Sequence, residues 1–320
     1  MKLTVLSMLC AAAICASTAA SAQSYPERPI TVVTGYSPGG IGSNITRIFT
    51  EHLSKHLGQP IVVQDKPGAS GSIGAKTVVA AKPDGYTLFS GGLNADPTVF
   101  KNGVDLSKEL EPVAMAAAVP LAFLTSTVHD LKTVEDVVEF ARKNPNALNF
   151  ASSGGGANIN MMMTLLADRV GKITYTHIPF KSAGEIQVAL ARGDIHITAL
   201  SALSSLPSIE AGHAHAIVIG GDSRSSLLPN VPTLSEAGIT PFATDSVSAL
   251  WAPPGTPKEV IQELSKAALA TAKDPAYIEA VQSRTGVTPV GLTPEQTRLF
   301  YENAAADLKA AVRLADYRPE

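Results

Sequence analysis

The stretch that most constrains this chain is Tyr36-Ser37-Pro38-Gly39-Gly40-Ile41-Gly42-Ser43-Asn44, a glycine-rich turn between an apolar strand at 30–33 and the amphipathic run Ile45, Ile48, Phe49, Leu53, Leu57. A strand that passes into a helix through glycines leaves the first helical N–H groups without partners, at the positive end of the helix dipole. Such a turn suits an anion. A second turn of this kind, Ser152-Ser153-Gly154-Gly155-Gly156-Ala157-Asn158, follows a strand at 148–151 and opens the run Ile159, Met162, Met163, Leu166, Val170. Facing one another, the two helix starts make a two-jawed carboxylate site.

The chain begins with Lys2, an apolar run over 3–20 and then Ala20-Ser21-Ala22, so residues 1–22 are expected to be a secretory signal peptide cleaved after Ala22. The apolar run falls short of the ~20 residues that span a bilayer. Neither Cys10, after Leu9, nor Cys15, after Ile14, has the small preceding residue of a lipid-attachment site. Both cysteines lie in this leader, which excludes disulfide and thiol chemistry from the mature chain. A chain of this length buries enough core to need no staples. Its formal net charge is −3, more acidic once Lys2 is removed, with no basic block, so nucleic acid is not an expected partner. Length suggests two domains, and 22 prolines with 5% aromatic residues suggest an α/β chain with many short connections.

After the first strand–helix unit, Leu57-Gly58-Gln59-Pro60 ends the helix, 61–63 reads as a strand, and the glycine-rich Pro67 to Gly74 opens a helix at 75–81. Residues 86–90 form a third strand, ending in Gly91-Gly92-Leu93-Asn94. The alternation predicts βαβ units and a mainly parallel sheet. The apolar run 113–125 is too long for one ordinary strand, and Pro120 interrupts it. It is read as the first crossing into a second domain.

That domain repeats the plan: a helix at 134–142 with Thr133 as cap, strands at 148–151, 174–179, 195–200 and 214–220, and helices between them. Residues 246–252 return to the first domain, and helices from Pro257 to about 273, at 275–284 and at 294–313 close the chain. The result is a hinged pair of lobes, 23–120 plus 245–320 and 121–244, with ligands expected at the carboxyl ends of the strands.

Several motifs compete for this reading. Gly35-Tyr36-Ser37-Pro38-Gly39 matches the nucleophile elbow of a secreted serine hydrolase, but the residue after Ser37 is Pro38, which has no N–H for the oxyanion. Gly40-Ile41-Gly42-Ser43-Asn44-Ile45 and its counterpart from Gly154 lack the third glycine of a dinucleotide fingerprint. His52 and His56 are spaced i, i+4 yet lack the glutamate of a zinc-protease motif, so a solvated helix face is expected. His129, His177 and His196 stand alone in sequence, and Met161-Met162-Met163 reads as core filling. No catalytic residue, metal or cofactor is expected.

These residues, taken in order, resemble the periplasmic solute-binding receptors of tripartite tricarboxylate transporters, the Bug family. The likeness runs through Tyr25-Pro26 with Arg28-Pro29-Ile30, Pro38-Gly39-Gly40 with Arg47, Leu57-Gly58-Gln59-Pro60, and Lys66-Pro67-Gly68-Ala69 with Ile73-Gly74-Ala75. It continues through Pro83-Asp84-Gly85-Tyr86-Thr87-Leu88, Ser152-Ser153-Gly154, Pro179-Phe180-Lys181, Leu228-Pro229-Asn230-Val231-Pro232-Thr233, Glu236-Ala237-Gly238 and Pro253-Pro254-Gly255-Thr256-Pro257. The resemblance implies a two-lobed periplasmic binding protein of Venus-flytrap type, each lobe a mainly parallel sheet flanked by helices, monomeric, closing on a small organic acid and serving integral membrane transporter subunits.

Carried onto this chain, the resemblance assigns one jaw to Tyr36, Gly39, Gly40, Ser43 and Asn44, and the other to Ser153, Gly154, Gly155, Gly156, Ala157 and Asn158. Phe180, Ser182 and Ala183 add a wall, with Gly92, Asn94 and Ser201 nearby. Family members often carry an aspartate at the position of Ser43 and an acid near Leu200 and Ser201. A buried ammonium needs such a counter-charge. The expected ligand is therefore a non-aminated mono- or dicarboxylate, and Phe180 in place of the usual tyrosine leaves room for an aromatic one.

Overall fold

The computed structural model describes residues 25–92, 96–98, 101–153, 157–180, 182–221, 223–243, 246–285 and 287–315. The expected leader and the glycines 154–156 lie outside them, as do Asn94 and Lys181. Among the described residues no helix is long and apolar enough to cross a membrane.

The chain opens as β1 (Ile30–Thr34), α1 (Ile41–Leu57), β2 (Ile61–Asp65), α2 (Ser72–Val79) and β3 (Thr87–Gly91), with β2 and β3 both parallel to β1. In α1 the stripe Ile45, Ile48, Phe49, Leu53 is buried, and the helix ends at Gly58, whose φ of 67° suits a glycine C-cap. A short helix, α3 (Leu106–Glu109), precedes β4 (Glu111–Val119). Pro120 separates β4 from β5 (Leu121–Ser126), and the two strands belong to different sheets. Both are buried along nearly their whole length, which accounts for one uninterrupted apolar run in the sequence.

The second lobe follows as α4 (Val134–Lys143), β6 (Asn149–Ser153), α5 (Ala157–Arg169), β7 (Thr176–Phe180), α6 (Ala183–Arg192), β8 (Ile197–Ser201), α7 (Ala202–Glu210) and β9 (Ala214–Ile219). Thr133 and Asp136 form a reciprocal capping box at the start of α4. The chain returns as β10 (Ser246–Ala252), then α8 (Lys258–Lys273), α9 (Pro275–Thr285), β11 (Thr288–Leu292) and α10 (Pro294–Leu314). The strand β11 falls between the helices expected at 275–284 and 294–313, where the sequence reading places no element. It is an edge strand against β4, where a proline is tolerated.

The first sheet has the order β11-β4-β10-β3-β1-β2 and the second β7-β6-β8-β5-β9. Each keeps a parallel βαβ core, β2-β1-β3 and β7-β6-β8, and each is mixed overall. The antiparallel partners include the crossing strands: β5 and β10 enter their sheets from the opposite lobe, so each starts at the edge where its parallel neighbours end. Leu121 at the start of β5 accordingly pairs with Ser201 at the end of β8. The carboxyl edges of the two sheets are thus drawn together at the crossings.

The helix α10 serves both lobes. Tyr301 is buried in a core with Trp251 and Phe89, while Leu308 and Ala311 pack in the core of the second sheet. Met161, Met162 and Met163 are core residues, as the sequence suggests.

Two histidine readings are corrected by packing. His52 does not face solvent: it is 6% exposed, beside Tyr277, and shares Asp274 with His56 at 3.6 and 3.8 Å, because α8 and α9 cover that face of α1. His129 and His196 do not stand alone but stack at 4.0 Å between ring centroids. Burial, and secondarily the neighbouring His129, push the His196 imidazole down to about 4. Its Nδ1 accepts the Asn149 N–H at 3.2 Å, a bond that requires the neutral ring.

The folded pKa of His196 thus lies below the ordinary value near ~6.5, so the stability it contributes is present above that pH and is lost as pH falls toward 4. The thermal midpoint of the wild type should therefore drop more steeply between pH 7 and pH 4 than that of His196→Gln. Parallel pH profiles would refute the assignment.

Candidate functional site

The described residues among those expected at the site lie at or just past the carboxyl ends of strands in the two sheets. On the first lobe, Ser37, Pro38, Gly39 and Gly40 form the exposed turn between β1 and α1. Gly40 is the N-cap of α1 and no side chain caps the helix. The N–H groups of its first turn therefore have no intrahelical partner and no side-chain acceptor. Asn44 is exposed and reaches back to the Gly39 carbonyl at 3.3 Å. Tyr36 lies against Gly42, where a β-carbon would come within 2.5 Å of its ring. Burial pushes the Tyr36 phenol up to about 12, so it stays a neutral hydroxyl at any ordinary pH.

A second helix start belongs to the same edge. Gly71, with φ of 95°, is the N-cap of α2, again with no side-chain cap. Its backbone touches Gly35: a β-carbon at Gly35 would lie 2.6 Å from the Gly71 Cα. The Ser72 hydroxyl is buried there without a hydrogen-bond partner. The sequence shows this helix start in Gly68 to Gly74, but no residue of it was assigned to a site. Beneath the jaw, Thr46, Ser90 and Ser248 form a buried hydroxyl chain at 2.8 and 3.2 Å that ties α1 to β3 and β10. Gly92, just past the end of β3, is buried at the same edge.

Ser43 departs from its expected place. It is fully buried, and its hydroxyl donates to Asp65 at 2.8 Å rather than pointing outward. Asp65 ends β2 and also pairs with Arg47. Sequence reasoning missed this carboxylate, although an acid at a strand end was the available signal. Its oxygens accept from Ser43 and Arg47, so it enters the jaw already compensated.

On the second lobe, Ser153 is the last residue of β6 and pairs with Phe180 at the end of β7. Ala157 and Asn158 are the first residues of α5, and Gly154, Gly155 and Gly156 lie outside the described residues. Phe180 and Ala183 are half-buried against a core that includes Ile186 and Leu200. Ser182 caps α6 by accepting the Glu185 N–H, and Ser201 caps α7 by accepting the Ser204 N–H. These two hydroxyls serve their own helices, in contrast to the uncapped starts of α1 and α2.

The hydrolase alternative gains no base from the paired histidines. His52 and His56 face Asp274, His129 stacks on His196, and His177 is bonded to Ser152 at 2.7 Å. Among the described residues no three His, Cys, Asp or Glu side chains group as metal ligands would.

Two mixed sheets joined by crossing strands, with uncapped helix starts along the carboxyl edge of the first, define a two-lobed solute-binding protein. The chain belongs to the tripartite tricarboxylate transporter family of receptors, whose family model matches residues 45–314. It is 31% identical over 288 residues to the protein BugT of Bordetella pertussis, covering 88% of this chain and 87% of that one. A UPF0065 protein of Agrobacterium vitis is 32% identical over 289 residues, 89% of this chain and 83% of its own length. Among solved structures, the periplasmic binding protein BugD matches with a TM-score of 0.71 at 26% identity, over 92% of this chain and all of that one. MatC from Rhodopseudomonas palustris with bound malate matches with a TM-score of 0.67 at 26% identity, covering 90% of this chain and 100% of its own. The family and the fold are those of solute-binding receptors.

Proposed function

We propose that this chain is an exported, non-enzymatic receptor that captures a small non-aminated carboxylate between its lobes and delivers it to a tripartite membrane transporter. The observation that carries the reading is the pair of glycine-started helices α1 and α2, neither with a side-chain cap, whose entry turns touch at Gly35 and Gly71 on the carboxyl edge of the first sheet. Backbone N–H groups at a helix start favour a carboxylate without needing an arginine. Two related structures, at 26% identity each, were solved with adipate and with malate, which are dicarboxylates. In this reading the lobes are 23–120 with 245–320, and 121–244, hinged where the chain crosses at Pro120 and again ahead of β10. Asp65, held by Ser43 and Arg47, offers no free counter-charge to an ammonium, and Phe180 gives the second jaw an apolar wall suited to an aromatic ring.

The test is a thermal-shift screen of the mature protein against aliphatic and aromatic mono-, di- and tricarboxylates, with amino acids included. A ligand at 100 times its dissociation constant adds ~2.7 kcal/mol to the folded state, enough to raise the midpoint by several degrees. A response confined to non-aminated acids is expected. A response to amino acids alone, or to no acid at all, would overturn the reading.

A further inference from the structure

On the second lobe, α4, the last turn of α5 and residues 237–239 enclose an open groove of about 600 Å³. Its apolar part is Val134, Val138, Val170, Ala237 and Ile239; Arg142, Lys143 and Arg169 stand along it, with the carboxylates Glu135 and Glu139 nearer the start of α4. Val134, Val138 and Arg142 are spaced i, i+4, so one stripe of α4 runs from apolar to cationic along the groove.

The cations are unequally engaged. Lys143 is paired with Glu139, and Arg169 reaches Asp307 only at 3.9 Å. Arg142 has no carboxylate partner among the described residues, and its guanidinium lies over Gly171, at a position where any β-carbon would collide with it. Complementing a helix dipole explains one basic residue in each last turn. Here the two last turns also set Arg142 and Arg169, from different helices, beside one apolar strip. At the other end Glu135, in the first turn of α4, opposes a second anionic group.

We propose that this groove is a second binding site, for an amphipathic monocarboxylate whose chain lies along Val134, Val138 and Val170 and whose head sits between Arg142 and Arg169. The volume falls in the range of about 300–1,000 Å³ typical of small-molecule sites. The site is separate from the cleft: α5 runs 13 residues from the cleft edge to Arg169, about 18 Å at the usual helical rise. It shares one group with the lobe contact, since Asp307, which faces Arg169, also accepts the Ala243 N–H at 3.1 Å.

Titration calorimetry of the mature chain with decanoate, decanol and sebacate tests the proposal. Decanoate should bind one to one, with decanol weaker by about tenfold, the scale of one lost charge-assisted hydrogen bond, and sebacate weaker because Glu135 repels its second carboxylate. Arg142→Gln should weaken decanoate by a similar factor, and Val138→Trp, which fills the groove, should abolish its binding. Asn44→Trp, placed in the cleft jaw, should leave it unchanged. Absence of decanoate binding to the wild type overturns the proposal. So does binding that survives both groove substitutions, or that is lost in Asn44→Trp, since the fatty acid would then sit elsewhere or in the cleft.

Discussion

Gly35→Ala should remove the ligand response of this receptor while leaving its secondary structure in place. The added β-carbon would meet the Gly71 Cα at 2.6 Å and the Gly71 carbonyl oxygen at 3.0 Å. Both are backbone atoms, so no side-chain rotation relieves the contact. The two turns must separate, and the start of α1 shifts relative to that of α2. Loss of one or two hydrogen bonds to a charged carboxylate costs roughly 1.5–3 kcal/mol each, so affinity should fall about tenfold to a hundredfold or beyond. Overpacking should also lower stability by about 1–3 kcal/mol.

Gly39→Ala is the control: nothing lies within 4 Å of the added carbon, and only the φ of 78° opposes it. Its stability cost should be about 1–2 kcal/mol, the strain of a left-handed residue. Acids that shift the wild type and Gly35→Ala by the same amount would show that the jaw does not depend on the Gly35–Gly71 contact.

The second large effect is expected at Trp251. Its side chain is fully buried and meets Tyr301 edge-on, with ring centroids 4.7 Å apart. The Tyr301 hydroxyl in turn donates to the Gly91 carbonyl at 3.0 Å, at the end of β3 beside the jaw. Truncation of a buried aromatic of this size costs about 3–5 kcal/mol, so Trp251→Ala should lower the denaturant midpoint strongly, followed by circular dichroism because Trp251 is the single tryptophan. A loss below about 1 kcal/mol would mean that the site collapses around the gap far more readily than a packed core does.

The structure also shows why the two jaws differ in how far they could be read. The start of α1 was legible because Gly39, Gly40 and Gly42 sit between a strand and an amphipathic stripe, and helix-start chemistry is local. The hydroxyl of Ser43 was misread because its fate depends on Asp65, 22 positions away on a neighbouring strand. Ser182 and Ser201 look like ligand contacts in a sequence, yet each satisfies its own helix, a choice settled by side-chain rotamer and cap geometry. His52 shows the same limit: its i, i+4 pairing with His56 is visible, but the cover supplied by α8 and α9 is not.

Local order, then, was set by the chain itself: the glycine-started helices, the capping box at Thr133, the parallel βαβ cores and the crossing at Pro120 all follow from short-range patterns of backbone freedom and apolar periodicity. Only the tertiary structure decided that β11 joins β4 despite Pro289, that α10 belongs to both cores, and that Gly35 and Gly71 touch. Each of these depends on which distant surfaces meet, and a pairing between residues tens of positions apart leaves no periodic trace in either segment.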